Sequence, residues 1–148
     1  MTGAALKWEA EHGYITLHDY FGDKPRTQEQ ADNATELLRR VNGLLAEYVA
    51  SGGVMTIDKD TGTYISGAKG GSGDGGFRLP DSTTGAPNSK HRKAQAVDVS
   101  DQAEGLDEWL SDKMLTKHGL YRESPLVTIT WCHLQSMPPG SGNRTYSI

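Results

Sequence analysis

At 148 residues the chain has room for one hydrophobic core and not comfortably for two, so a single domain over 1–148 is expected. Eighteen glycines and a hydrophobic fraction of 35% point to a loop-rich fold whose working surface lies on irregular segments. The net charge of -4, with basic residues scattered apart from Arg39-Arg40 and Lys90, Arg92 and Lys93, argues against nucleic acid as the main partner. Lys7, Glu9, Glu11 and His12 interrupt the apolar stretch a signal peptide needs, and no run of about 18 apolar residues occurs. Synthesis in the cytoplasm, with no leader and no membrane span, is therefore the expectation.

The first segment, Tyr14-Ile15-Thr16-Leu17, alternates like a short strand or extended arm. A long helix follows from Gln28 to Ser51, because Ala31, Ala34, Leu37, Leu38, Val41, Leu44, Leu45 and Tyr48 recur at helical spacing. Thr27 and Gln30 form a capping box at its start, and Gly52-Gly53 offers a left-handed exit. Val54-Met55-Thr56-Ile57 and Thr63-Tyr64-Ile65-Ser66 read as two strands of a hairpin. Its turn, Asp58-Lys59-Asp60-Thr61-Gly62, lacks the third acidic position and the closing Glu of a calcium loop, and reads as an ordinary polar turn. Residues 1–66 thus form an N-terminal scaffold. The glycine-rich stretch 67–76 has no phosphate-loop spacing and reads as a flexible connection to a motif-bearing part over 77–148.

In that second part a helix is expected from Glu104 to Lys117, closed by His118-Gly119, with His118 favoured by the helix dipole. Leu126 to Gln135 alternates as a strand, and Arg144 to Ile148 follows a Pro-Gly turn as a closing edge strand. Cys132 excludes an internal disulfide and reads as a small buried hydrophobe. A catalytic thiol would need a nearby His, and His133, the next strand residue, points to the opposite face.

The chemistry concentrates in two places. Ala96-Val97-Asp98-Val99-Ser100 alternates, so Val97 and Val99 enter the core while Asp98 is held rigidly on the other face. A carboxylate among small and apolar residues is costly unless it is paired or metal-bound. His91 lies shortly before it, and His133 shares a strand face with Trp131 and Gln135. Two imidazoles and one carboxylate, leaving a fourth position for water, are one way to build a catalytic zinc centre.

The pattern Ser89-x-His91-x-x-Ala94-x-Ala96-x-Asp98, followed by Trp131-x-His133, resembles the S-x-H-x-x-G-x-A-x-D and W-x-H signatures of the D-alanyl-D-alanine metallopeptidases. That family has the hedgehog/DD-peptidase fold and includes VanX-type dipeptidases and the L-alanyl-D-glutamate peptidases of bacteriophage lysins. The resemblance covers about the second half of the chain. It implies an α+β domain, a small antiparallel sheet with helices packed on one side. It also implies His91, Asp98 and His133 as ligands of Zn2+. Arg78, within Gly75-Gly76-Phe77-Arg78, matches the arginine of an S-G-[FW]-R motif and is expected to hold a substrate carboxylate or carbonyl. Ser89, Trp131 and Gln135 are further substrate-binding candidates.

Two positions depart from the family pattern. Ala94 stands where glycine is usual, and a left-handed turn there would cost about 1 kcal/mol. Thr130 stands where the family has its catalytic Glu, a loss worth about a hundredfold to ten-thousandfold in rate. Glu123, just before Ser124-Pro125, is the candidate replacement base. The resulting expectation is a zinc peptidase of peptidoglycan stem peptides, acting at the cell wall. The alternative is a virion or tail module that keeps the fold and binds peptidoglycan or other phage structural proteins.

Overall fold

A computed structural model describes residues 13–67, 75–79, 90–126 and 128–147. Residues 14–17, expected to be extended, are bent at Tyr14 and Ile15 and pass at Leu17 into the first element, a short helix, α1 (Leu17–Phe21). Thr16 explains the difference. Its hydroxyl accepts from the Asp19 amide, and the Asp19 carboxylate accepts from the Thr16 amide, a reciprocal cap that starts a helix within the segment.

Helix α2 (Gln28–Ala50) begins at the Thr27/Gln30 capping box and buries Ala34, Leu37, Leu38, Val41, Leu44, Leu45 and Tyr48. Asn42 is the one polar residue on that buried face. Its amide accepts from the Ile15 N–H and donates to the Ile15 carbonyl, both at 2.9 Å, so it satisfies both backbone groups of that residue in the bent chain ahead of α1.

The expected hairpin over 54–66 forms its turn but no ladder. Asp58 accepts from the amides of Asp60, Thr61 and Gly67, while the Thr61 and Thr63 hydroxyls bond the Ile65 carbonyl and amide. Side chains thereby take backbone groups that a second strand would have used. Only Ile65 makes a bridge, to Val99.

A 3-10 turn (Lys90–Lys93) leads into β1 (Ala96–Ser100). The expected helix over 104–117 is two helices, α3 (Gly105–Trp109) and α4 (Asp112–His118). Leu110 turns extended, and the Ser111 hydroxyl caps the new helix through the Met114 amide. Asp101 caps α3, accepting from the Leu106 and Asp107 amides. Gly119, at φ 67°, ends α4 in the left-handed conformation expected of it.

Strands β2 (Tyr121–Glu123), β3 (Trp131–Gln135) and β4 (Thr145–Tyr146) complete a four-stranded sheet of order β1-β3-β2-β4. β3 is five residues shorter at its start than the expected strand over 126–135. Turns lie at Pro125–Leu126 and Ile129–Thr130, and Thr130 sits at φ 73°, which breaks the extended chain. The sheet is mixed, not antiparallel throughout, because β4 runs parallel to β2.

Val97 and Val99 of β1 and Cys132 and Leu134 of β3 join the core formed with α2, α3 and Leu115 of α4. The alternate residues, Asp98, His133 and Gln135, occupy the other face. Among the described residues no helix is long and apolar enough to cross a membrane.

Candidate metal centre

Asp98 and His133 are direct partners across the antiparallel β1–β3 ladder, so one register places a carboxylate beside an imidazole. The other edge of β1 is also held. The Asp98 amide donates to the Gly75 carbonyl at 2.7 Å, and its carbonyl accepts from the Ser66 amide at 2.8 Å.

His91 arrives from the 3-10 turn, which ends at Ala94 with φ 59°. The left-handed conformation that the sequence comparison with glycine implied is therefore adopted by alanine. Gly76 threads past Tyr20 so closely that a Cβ would strike the Tyr20 carbonyl, and this puts the Gly76 carbonyl against His91.

His91, Asp98 and His133 are buried, at 2%, 5% and 8% exposure, and their ligating atoms all lie within 4.8 Å of one another. Asp98 Oδ1 is 3.4 Å from His91 Nε2 and 2.9 Å from His133 Nδ1. A tetrahedral ion with bonds of about 2.0–2.1 Å separates its ligands by about 3.3 Å, and both Asp98–histidine distances lie within a few tenths of an ångström of that value.

The outer atoms of both rings support that fit. His91 Nδ1 lies 2.8 Å from the Gly76 carbonyl, an acceptor only, so it carries the proton and Nε2 faces Asp98. His133 Nε2 lies 2.8 Å from Gln135 Oε1 and donates to it, leaving Nδ1 facing Asp98. The Gln135 amide is oriented by a 2.7 Å bond from its Nε2 to the Met137 carbonyl. Each histidine is thus held by an outer acceptor with the opposite nitrogen turned inward, the usual support for a metal-ligating imidazole.

Electrostatics follow from burial. Burial alone would raise the Asp98 carboxyl, but His91 and His133 beside it hold it well below the usual carboxylate range. Burial pushes His91 down despite Asp98. For His133 burial is outweighed by the bond to Asp98 and its charge, which push the imidazole up.

The remaining expected residues fall as follows. Arg78 approaches the second Asp98 oxygen at 3.7 Å and is mostly buried. Glu123 ends β2. The pairing of Tyr121 with Gln135 and Arg122 with Leu134, continued by one residue, puts Glu123 opposite His133. Trp131 is partly buried on the His133 face. Gln135 is 3% exposed, with both amide atoms engaged within the protein. Ser89 lies outside the described residues. Thr130 is exposed in the turn before β3, and its carbonyl accepts from the Asp101 amide.

Sequence reasoning did not single out Tyr146 of β4. Its hydroxyl donates to Gln135 Oε1 at 2.6 Å, and its ring stands edge-on to His133, with centroids 6.4 Å apart. No sequence signal marks it, because parallel pairing of β4 with β2 brings it there. No family model, curated protein or solved structure matches the chain, so the α+β architecture and the metal-competent His91/Asp98/His133 group rest on its own residues.

Proposed function

We propose that the chain is a zinc-dependent peptidase acting on peptidoglycan stem peptides, as a carboxypeptidase or endopeptidase of the phage-lysin kind. The observation that carries the metal reading is the buried His91/Asp98/His133 group, each imidazole held by an outer acceptor with its other nitrogen turned inward. The choice of peptide and of cell wall rests on the motif resemblance, with the zinc peptidase acting at the wall or carried in the virion.

Zn2+ held by these three side chains would supply Lewis acidity that polarises a scissile carbonyl and makes water more acidic. Arg78, beside Asp98, offers a permanent positive charge for a substrate carboxylate or carbonyl. Glu123, opposite His133 by register, is the carboxylate suited to take a proton from water and deliver it to the leaving amine. Trp131 and Ser89 are proposed to line the peptide path. Gln135 has its amide committed to His133 and Met137, which favours support of the ligand over substrate contact.

One observation favours a second reading. Thr130 supplies no carboxylate where the resembled family has its base, and its backbone lies in a left-handed turn. A non-hydrolytic virion or peptidoglycan-binding module that retains the metal would have that feature. Zinc content and hydrolysis of purified peptidoglycan, measured on the same wild-type sample and on Glu123→Ala, separate the two. Stoichiometric zinc with cleavage that disappears in the variant supports the peptidase. Stoichiometric zinc with no cleavage by wild type supports the binding module.

A further inference from the structure

We propose that Tyr146 is a positioning residue of the metal centre, acting through Gln135 to hold His133 with its Nδ1 turned toward Asp98. The inference rests on the zinc reading above and extends it to the C-terminal strand.

A side-chain amide oxygen has two acceptor positions. Gln135 Oε1 fills them with His133 Nε2–H at 2.8 Å and the Tyr146 hydroxyl at 2.6 Å, while Gln135 Nε2 is occupied by the Met137 carbonyl. Rotating that amide by half a turn would bring Oε1 against the Met137 carbonyl and an N–H against His133 Nε2. His133 would then need a lone pair on Nε2 and a proton on Nδ1, which removes the nitrogen facing Asp98 from metal binding. The Tyr146 hydroxyl strengthens the working orientation by donating to the same oxygen, and its ring packs edge-on against His133.

Tyr146 is itself held by β4. The Arg122 amide donates to the Arg144 carbonyl and the Ser124 amide to the Tyr146 carbonyl, each at 2.7 Å. The tyrosine therefore reaches the site on paired backbone, suited to positioning a ligand.

Zinc affinity by chelator competition, on the full chain, tests this with Tyr146→Phe, Gln135→Leu and the double variant, circular dichroism confirming each fold. Outer partners of metal ligands are worth about tenfold to a hundredfold in affinity. Tyr146→Phe is expected to weaken zinc binding by about tenfold and Gln135→Leu by more. In the Gln135→Leu background, Tyr146→Phe should add nothing, because its route to His133 is already gone. Gln135→Met replaces Gln135→Leu if the latter does not fold. Wild-type zinc affinity in Tyr146→Phe, or an undiminished effect of that change in the double variant, overturns the role of Tyr146 and leaves the zinc reading standing. A wild-type chain that takes up no zinc overturns both.

Discussion

His133 Nδ1 and Asp98 Oδ1 lie 2.9 Å apart across the β1–β3 ladder, both residues buried. The contact joins the fold to the proposed chemistry, because the register that pairs the strands also assembles the ligands. Removing the carboxylate leaves an imidazole buried without its anion. The imidazole can give up its proton, so the cost is that of a buried polar group left unpaired, about 1–3 kcal/mol. Asp98→Ala is therefore expected to lower the unfolding free energy of the metal-free protein by about that amount in urea titrations, besides abolishing zinc binding.

A bound ion that recognises only the folded chain adds to stability. With free zinc at about a thousand times its dissociation constant, the gain is about 4 kcal/mol. Thermal melts are expected to rise with zinc and to return to the metal-free value with a chelator. His91→Ala should melt at one temperature under both conditions.

The pH dependence of stability has an identifiable contributor on the other face of the sheet. The Asp107 carboxylate is buried with no oxygen or nitrogen donor within hydrogen-bond distance, and the Arg122 guanidinium, which donates to the Asp107 carbonyl at 2.9 Å, stays 3.5 Å from it. Burial raises its pKa from 3.8 to about 6, despite the opposing influences of the Cys132 thiol and Arg122. The folded state then binds more protons than the unfolded chain between those values, so this group's contribution to stability increases as pH falls from about 6 toward 4. A shift of about two units corresponds to about 3 kcal/mol. Asp107→Asn should remove that slope, read as the difference in urea unfolding free energy between wild type and variant across the window. Parallel pH curves for the two proteins would show that Asp107 does not titrate there.

Asn42 gives a sharper stability prediction than any leucine on α2. Asn42→Ala leaves the Ile15 amide and carbonyl without their partner at a buried position. Each unsatisfied group costs about 1–3 kcal/mol. A loss of at least about 2 kcal/mol is expected by chemical denaturation, and a loss below 0.5 kcal/mol would mean that water replaces the amide without penalty.

Thr130 holds a left-handed backbone with an exposed, β-branched side chain. That conformation costs a non-glycine residue about 1–2 kcal/mol, and glycine gives back up to about 1 kcal/mol through the unfolded chain. Thr130→Gly should therefore raise the unfolding free energy slightly, by up to about 1 kcal/mol, and a decrease would show that the threonine side chain makes a contact of value.

The parts of this architecture that were legible in the sequence are those governed by local rules. The apolar stripe of α2 and its Thr27/Gln30 cap mark that helix within a residue of its observed end. Alternation around Val97 and Val99 assigns Asp98 to the face opposite the core, and the glycine-like position of Ala94 is left-handed as implied. What sequence missed depends on tertiary partners. Thr16 and Ser111 cap helices where alternation or continuity suggested otherwise. The segment around Thr56 is anchored by its hydroxyl to Ser100 and Gln102 instead of by a strand partner. Glu123 and Tyr146 come beside His133 only through the β2–β3 and β2–β4 pairings, which no local pattern encodes.

One zinc ion held by His91, Asp98 and His133 is tested most directly by the zinc content, by mass spectrometry, of dialysed wild-type protein beside His133→Ala, with circular dichroism establishing that both are folded. One zinc per wild-type chain, with none above background in the variant, is the predicted result. Zinc-free wild type after exposure to the metal, or equal zinc in both proteins, would contradict it.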